Sequence, residues 1–248
     1  MMEVDYSEHS LDRSARIIGQ EGIDRLAHST VVVFGLGGVG SACVEALARG
    51  GVGKLIVVDR DIVQPSNINR QVIAYRSTLG QPKVDVMRNM VADISPETKV
   101  VCHHALVLKE NLEDFFTIKP DYIVDALDTM TTKWALAQYA NDHDIPLVSS
   151  MGAANKIHPE SLEFADLYDT EWCPMCRVMR KGARTRGITK LRVLYAHEHP
   201  VKVSSEEGAD RKERTNLGTM SYFPPIMGMM IAGDVIQHLV GLVEQDAC

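Results

Sequence analysis

Four glycines near the start of the chain have the spacing of a loop that holds phosphate. Gly35, Gly37 and Gly40 form a G-x-G-x-x-G pattern, with Gly38 inside it. Such a loop lets the backbone approach a phosphate, and the following helix directs free N–H groups and a partial positive charge toward it. Asp59 lies 19 residues after Gly40 (59 − 40), a spacing typical of a carboxylate that binds a ribose hydroxyl. The pattern predicts a nucleotide site; a tight turn without a ligand is the alternative.

Two cations, Arg70 and Lys83, follow the glycine turn and Asp59, on the segments after the second predicted strand. A nicotinamide-dependent oxidoreductase needs little positive charge near its phosphates, because the cofactor is not cleaved there. Phosphoryl or nucleotidyl transfer does need such cations, since they neutralise the charge that develops on leaving pyrophosphate. With the glycine turn, the two residues favour chemistry at a phosphate over plain surface charge.

A carboxylate, Asp128, follows the strand predicted at residues 122–127. Open parallel sheets bind ligands at the carboxyl ends of their strands. A carboxylate close to a triphosphate is expected to hold Mg²⁺. Asp128 could also cap the helix predicted to follow it, and the two roles are compatible.

The elements that position these residues alternate between strand and helix, which predicts an α/β fold with a doubly wound, mostly parallel sheet. Apolar runs predict strands at residues 30–34, 55–58, 99–103, 122–127 and 145–149. Helical spacing predicts helices at residues 41–49, 80–94, 110–116 and 131–141. Residues 1–29 are expected to form two short helices that break near residues 19–22.

The second half of the chain contains no repeat and no low-complexity linker. We predict a strand at residues 191–196, a polar loop at 197–216 and an apolar helix within 218–243. We therefore expect one domain, residues 1–248, with a nucleotide-binding core at 10–150. Residues 151–248 would form a C-terminal elaboration for substrate or dimer contacts.

The composition is that of a globular protein. With 248 residues and 45% hydrophobic content, the chain can bury a full core. Its net charge of −7 gives no bulk signal for nucleic-acid binding, although it leaves room for a local basic patch. The longest apolar region, residues 223–243, contains Asp234, so we expect a core helix and no membrane span. No signal peptide is apparent and the five cysteines are an odd number, which indicates a reducing, cytoplasmic location.

A local basic segment contrasts with this acidic chain. Seven of the sixteen residues from 177 to 192 are Lys or Arg, and none is acidic. Such a cluster can contact RNA phosphates, which supply much of the affinity for nucleic acid. A solvated helix face is the alternative. The candidate contacts are Arg177, Arg180, Lys181, Arg184 and Arg186.

One C-x-x-C pair, Cys173 and Cys176, lies just before this segment. Such a pair is half of a tetrahedral zinc site. No second pair exists, and only Cys248 remains downstream, so zinc is disfavoured. A redox pair and plain thiols are the other interpretations.

Taken together, the nucleotide motifs resemble the ubiquitin-activating-enzyme-like superfamily of adenylating enzymes over residues 10–150. The later segments 149–159, 166–167, 174–187 and 218–232 look like the branch of tRNA threonylcarbamoyladenosine dehydratases. The missing second C-x-x-C agrees with this branch, because activators of sulfur-carrier proteins usually have a four-cysteine zinc site. The residues that match the superfamily are Gly35 to Gly40, Asp59, Ser66, Asn67, Arg70, Gln71, Gly80 to Lys83 and Asp128.

The resemblance implies a role for each site residue. ATP would bind through Gly35, Gly37, Gly38, Gly40, Asp59, Asp61, Asn67, Arg70, Gln71 and Lys83. Arg70 and Lys83 would neutralise its phosphates, and Asp128 would position Mg²⁺. Arg16 would reach the γ-phosphate region, with the partner subunit of a homodimer as one location of that nucleotide. The resemblance also implies tRNA and a sulfur-transfer protein as partners, and it leaves a monovalent cation requirement open.

The implied reaction is ATP-dependent. The carboxylate of a threonylcarbamoyl group on tRNA adenosine attacks the α-phosphate, pyrophosphate leaves, and the neighbouring carbamoyl group closes on the activated carbonyl with release of AMP. Three alternatives stay open at this stage. They are adenylation of a ubiquitin-like sulfur-carrier protein, nicotinamide-dependent oxidoreduction, and a non-catalytic scaffold that binds nucleotide.

Overall fold

A single mixed sheet forms the centre of the computed structural model, which describes residues 9–203 and 217–242. Its strands are β1 (Thr30–Phe34), β2 (Lys54–Val58), β3 (Lys99–His103), β4 (Tyr122–Asp125), β5 (Leu147–Ser150), β6 (Leu162–Asp166) and β7 (Arg192–Ala196). Their order is β3-β2-β1-β4-β5-β7-β6. Neighbouring strands are parallel, except that β6 is antiparallel to β7.

Apolar composition explains why the central strands lie in the middle of the molecule. Every residue of β1 and β4 is buried, as are the last four of β2. Parallel strands need crossover connections that cover both faces of a sheet, so such strands are apolar throughout. The chain runs from β1 outward to β3 and then returns to β4 beside β1. This reversal creates a crevice at the carboxyl ends of β1 and β4.

The helices cover the sheet on both faces. They are α1 (Asp12–His28), α2 (Gly38–Arg49), α3 (Lys83–Ile94), α4 (Met130–Asp142), α5 (Pro174–Arg184) and α6 (Phe223–Val240). Short 3-10 turns lie at Pro65–Asn67, Arg76–Thr78, Lys109–Phe115, Pro159–Ser161 and Leu167–Asp169. The predicted break in the first helix is confirmed, because Gly19 has a φ of 71° and a ψ of 171° inside α1.

The last helix packs closely on the helix that follows the glycine turn. A Cβ atom at Gly228 of α6 would lie 2.2 Å from the carbonyl oxygen of Val39 in α2. Only glycine permits this approach of two backbones. By length and composition alone, α6 could cross a membrane, yet Phe223, Met227 and Ile231 are fully buried in the core beside α2. The expected core helix is therefore confirmed.

The predicted α/β class and mostly parallel sheet are confirmed, but some elements differ. The segment predicted as a helix at residues 110–116 is the 3-10 turn Lys109–Phe115. Strand β6 was missed, because only its first residue is buried and its alternation of apolar residues is weak. Residues 204–216 of the predicted polar loop lie outside the described residues.

Candidate active site

A cavity of about 500 Å³ lies where the strand order reverses, between β1 and β4. The glycine turn, the segments after β2, β4 and β5, and the first residues of α5 and α6 form its walls. Ten of the twelve residues predicted to bind nucleotide or metal, or to act in catalysis, line it, and Gly40 and Arg16 do not. The ten are Gly35, Gly37, Gly38, Asp59, Asp61, Asn67, Arg70, Gln71, Lys83 and Asp128.

Glycine occupies each position of the turn for a different structural reason. Gly35 has a φ of +91°, and a Cβ atom there would lie 2.8 Å from the carbonyl oxygen of Ala126. Gly37 faces open space, with no atom within 4 Å of an added Cβ. Gly40 lies inside α2, where a Cβ would lie 1.8 Å from the carbonyl oxygen of Gly35. Gly37 thus leaves room for a ligand beside the N-terminus of α2, whereas Gly40 closes the turn.

Asp59 is held against the glycine turn by two backbone hydrogen bonds. Its Oδ2 accepts from the N–H of Leu36 at 2.5 Å, and its Oδ1 accepts from the N–H of Asp61 at 2.7 Å. The residue is only 8% exposed and lines the cavity. Since each carboxylate oxygen has further lone pairs, Asp59 can still accept a hydrogen bond from a ribose hydroxyl.

Lys83 supplies a buried positive charge at the wall of the cavity. It is the first residue of α3 and is 4% exposed. Its Nζ donates to Oδ2 of Asp61 at 3.1 Å, and its backbone N–H donates to the Asp61 carbonyl at 3.0 Å. Asp61 itself has a half-exposed side chain. Asp61 therefore positions the ammonium group and lies near enough to share it with a phosphate.

Arg70 and Gln71 follow on the same wall. The Nη1 atom of Arg70 donates to the carbonyl of Ser66 at 3.0 Å and to Oδ1 of Asn69 at 2.8 Å. The Oε1 atom of Gln71 is buried and has no hydrogen-bond partner in the described part of the chain. A buried amide oxygen without a donor is costly, so this atom marks a place where a ligand N–H or O–H would be stabilised. The residues present therefore fit a nucleotide with its phosphates at the cations.

Asp128 lies three residues beyond the end of β4 and lines the cavity. The hydroxyl of Thr129 donates to its Oδ1 at 3.3 Å. Among the described residues, no group of three His, Cys, Asp or Glu side chains could hold a metal ion. Mg²⁺ at a nucleotide commonly takes one or two carboxylates and completes its shell with phosphate oxygens and water. The arrangement therefore suits a metal shared with a nucleotide, and does not form an all-protein cage.

The sequence and the architecture agree with those of known proteins. The model of the ThiF family matches residues 11–247. The chain belongs to the ThiF family. A relative from Bacillus subtilis (strain 168), named tRNA threonylcarbamoyladenosine dehydratase, is 40% identical over 245 residues, which are 95% of this chain and 96% of the relative.

Solved structures agree with this placement. The E. coli tRNA N6-threonylcarbamoyladenosine dehydratase TcdA in complex with AMP superposes with a TM-score of 0.86 and 26% identity, covering 98% of each chain. The same protein in complex with ATP gives a TM-score of 0.85 with the same identity and coverage. The resemblance of this ThiF-family chain to the dehydratase branch is thereby confirmed.

A buried ion pair beneath the cavity of this ThiF-family chain was not predicted. Lys133 of α4 has a fully buried side chain, and its Nζ donates to Oδ2 of Asp125 at 3.0 Å, to Oγ of Ser149 at 3.2 Å and to the carbonyl of Ser150 at 2.7 Å. Asp125 also accepts from the N–H of Leu127 at 3.2 Å. The network ties the carboxyl ends of β4 and β5 together. In the sequence, this lysine has the same helical spacing as the apolar residues that α4 buries.

Arg16 lies on the first segment of α1, before the break at Gly19, and its side chain is exposed. It is outside the residues that line the cavity in the ThiF-family chain. Its expected role at a partner subunit's nucleotide stays a prediction.

The five basic candidates for RNA contact belong to α5 and the turn after it, and they differ in environment. Arg177, Lys181 and Arg184 are exposed. The Nη1 atom of Arg180 instead donates to the carbonyl of Thr170 at 2.7 Å, on the protein side of the helix. Arg186 lies over the ring of Trp134, 4.4 Å from its centre. Arg186 is nevertheless exposed, and Arg184 likewise lies over a ring, 5.5 Å from the centre of Tyr168. In the ThiF-family chain the exposed basic face is therefore formed by Arg177, Lys181, Arg184 and Arg186.

Proposed function

We propose that this chain is an ATP-dependent tRNA threonylcarbamoyladenosine dehydratase. It adenylates the carboxylate of the threonylcarbamoyl group on adenosine and then allows that group to cyclise with loss of water. The observation that carries the proposal is similarity to a dehydratase along 96% of that relative's length, in a chain whose cavity has cations beside a helix N-terminus.

ATP binding is supported by the chemistry of the cavity wall. Gly37 leaves space at the N-terminus of α2, where backbone N–H groups and the helix dipole favour phosphate. Asp59 would bind the ribose, and the buried Oε1 atom of Gln71 would accept a hydrogen bond from the nucleoside. Asn67 is buried at the same wall, with its side chain accepting from the N–H of Gln64 at 3.0 Å. This hydrogen bond fixes the short turn Pro65–Asn67, which precedes Arg70.

Lys83 and Arg70 would stabilise the developing charge, together with Mg²⁺ held at Asp128. Lys83 and Arg70 would neutralise charge on the leaving pyrophosphate, in a cavity where partial burial strengthens the interaction. Asp128 would hold Mg²⁺ together with phosphate oxygens, and the ion would supply further positive charge. A monovalent cation requirement stays a prediction.

The cyclisation needs no nucleophile from the enzyme. The carbamoyl nitrogen and the activated carbonyl belong to the same substituent, so the attack is intramolecular and gains from proximity. The cavity would hold the substituent in a compact conformation and exclude water, which otherwise hydrolyses the acyl-adenylate. Met151, Gly152, Met175 and Leu217 supply the mostly apolar part of this wall.

The tRNA would lie along α5. Met175, in the first turn of this helix, lines the cavity, and the exposed residues Arg177, Lys181 and Arg184 extend away from it. A modified base in the cavity would thus bring neighbouring phosphates over the basic face. A homodimer, with Arg16 acting at the partner's nucleotide, and a sulfur-transfer protein partner are further parts of the proposal that rest on the resemblance.

The test is conversion of the modified nucleoside. Purified protein is incubated with ATP, Mg²⁺ and tRNA that carries threonylcarbamoyladenosine, and the nucleoside is measured by mass spectrometry. We expect ATP-dependent loss of one water with formation of AMP. Lys83→Ala and Asp128→Ala should each lower kcat about 10²- to 10³-fold, as loss of a charge-stabilising group does.

The matched control is Lys99→Ala. Lys99 is an exposed lysine at the amino end of β3, whereas the cavity lies at the carboxyl ends of the strands, so the variant should retain normal turnover. An unchanged nucleoside, with ATP–pyrophosphate exchange only on addition of a ubiquitin-like carrier protein, would replace the proposal with carrier activation.

A further inference from the structure

The C-x-x-C pair lies at the N-terminus of α5 with its two sulfurs close together. Cys173 is the N-cap residue, and its Sγ accepts a hydrogen bond from the backbone N–H of Cys176 at 3.5 Å. The Cys176 thiol also donates to the Cys173 sulfur. Both residues are almost fully buried, at 4% and 0% exposure. No third metal-binding side chain joins them among the described residues, so the geometry does not suit a metal.

The surroundings make the two sulfurs unequal. Donation from the Cys176 thiol, and then from the N–H groups of Cys176, Met175 and Gly152, lowers the pKa of Cys173 to about 6. The same contact and burial raise the pKa of Cys176, despite the lowering effect of Arg180. Lys156 is also within electrostatic range and is buried. At neutral pH Cys173 is therefore a thiolate beside a protonated thiol, the arrangement of an attacking and a resolving cysteine.

We propose that Cys173 and Cys176 form an oxidisable dithiol that reacts with hydroperoxides. The Cys173 thiolate attacks one peroxide oxygen, the O–O bond breaks, and the leaving hydroxide takes up a proton to become water, with a sulfenic acid left on Cys173. The Cys176 sulfur then attacks the sulfenic sulfur, the S–O bond breaks, and the departing hydroxide combines with the Cys176 proton. Two thiols are oxidised to one disulfide, and hydrogen peroxide is reduced to two waters.

The same contacts join the dithiol to the cavity. The backbone N–H groups of Gly152 and Met175 help to lower the pKa of Cys173, and both residues line the cavity. A disulfide sulfur has no negative charge and is a much weaker acceptor, so oxidation releases these two N–H groups. The cavity wall loses its anchor and turnover falls. This consequence rests on the proposed function, whereas the dithiol chemistry does not.

Other cysteines provide internal controls. Cys43 is fully buried in α2, and burial raises its pKa. Burial likewise raises the pKa of Cys102 in β3. Neither is bonded to another cysteine in the described residues, and the Cys102 thiol donates to the carbonyl of Val84 at 3.2 Å. Both should therefore react with peroxide more slowly than Cys173.

The test treats the full-length reduced protein with hydrogen peroxide, blocks remaining thiols by alkylation, and maps the cysteines by mass spectrometry. We expect a Cys173–Cys176 disulfide that dithiothreitol reverses. In Cys176→Ala a dimedone-trapped sulfenic acid should appear on Cys173, and in Cys173→Ala neither product should form. Alkylation of Cys173 in the reduced protein should rise through pH 6, with a higher midpoint in Cys176→Ala because the main donor is lost.

The contrary results are equally definite. If Cys173 and Cys176 remain alkylatable after Cys43 and Cys102 are oxidised, the dithiol proposal is wrong. Calorimetric measurement of ATP binding tests the link between the dithiol and the cavity independently of the proposed dehydratase activity. A disulfide that forms without changing either ATP affinity or turnover refutes the link to the cavity. A protein that forms the disulfide but never dehydrates the nucleoside refutes the proposed function alone.

Discussion

Replacement of Lys133 by methionine tests whether the buried ion pair beneath the cavity holds the sheet together. The variant keeps the length and apolar stem of the side chain but removes all three of its hydrogen bonds. Within the described part of the chain, Asp125, whose side chain is 1% exposed, would keep only its contacts to Ser149 and Leu127. Loss of one member of a buried pair typically costs about 3–5 kcal/mol, because the other charge remains buried without compensation.

The expected effect is large enough to measure by two methods. At about 2–4 °C per kcal/mol for a chain of this size, Lys133→Met should lower Tm by roughly 6–20 °C. Urea denaturation should show a lower midpoint with an unchanged m-value. ATP affinity should also fall, because the variant loses the ammonium group that holds the Ser150 carbonyl, and Ser150 lines the cavity.

A double-mutant cycle identifies the cause. Asp125→Asn removes the negative charge but keeps an oxygen that can accept from the same donors, so adding it to Lys133→Met should recover part of the lost stability. Lys119→Met is the control, since Lys119 is exposed and its replacement should change stability by less than about 0.5 kcal/mol. A cost below about 1 kcal/mol for Lys133→Met, or no recovery in the double variant, would refute the reasoning.

Two further predictions concern the glycine turn and the basic face. Gly37→Ala should raise KM for ATP with Tm unchanged, because its Cβ enters the open cavity, whereas Gly40→Ala should lower Tm markedly, because its Cβ meets the Gly35 carbonyl. Steady-state kinetics and thermal unfolding distinguish them, and equal loss of Tm in both would contradict the assignment. Lys181→Ala should weaken tRNA binding and reduce the slope of log K against log salt by about one, as loss of one phosphate contact does. Filter binding at several salt concentrations measures the slope, with Lys119→Ala as control; an unchanged slope would remove α5 from the tRNA site.

Much of the cavity could be predicted because its motifs are local. The glycine turn, Asp59 and Lys83 each have a fixed place relative to one strand or helix, and parallel strands bring those places together at one edge of the sheet. Predicting the residues that line the nucleotide cavity therefore required only the order of the strands and helices. Gly40 was assigned to the ligand, although it contacts the backbone of Gly35 instead, since both uses favour the same residue type.

The features that were missed depend on tertiary packing. A lysine at a buried helical position predicts nothing until the facing strand is known to carry Asp125 and Ser149. Likewise Arg180 was grouped with its basic neighbours, although it caps the turn at Thr170. The redox role proposed for the two cysteines depends on their position at the first turn of α5, which their spacing in the sequence does not predict.

The close contact between α6 and α2 has a consequence for how the enzyme is made. The cavity includes Pro224, which follows Gly35 by 189 residues (224 − 35), and Gly228 must seat against Val39 for the two helices to meet. A ribosome therefore has to release almost the whole chain before the nucleotide cavity can close. Nascent and C-terminally truncated chains, although they already contain every predicted phosphate ligand, would not acquire a complete ATP site.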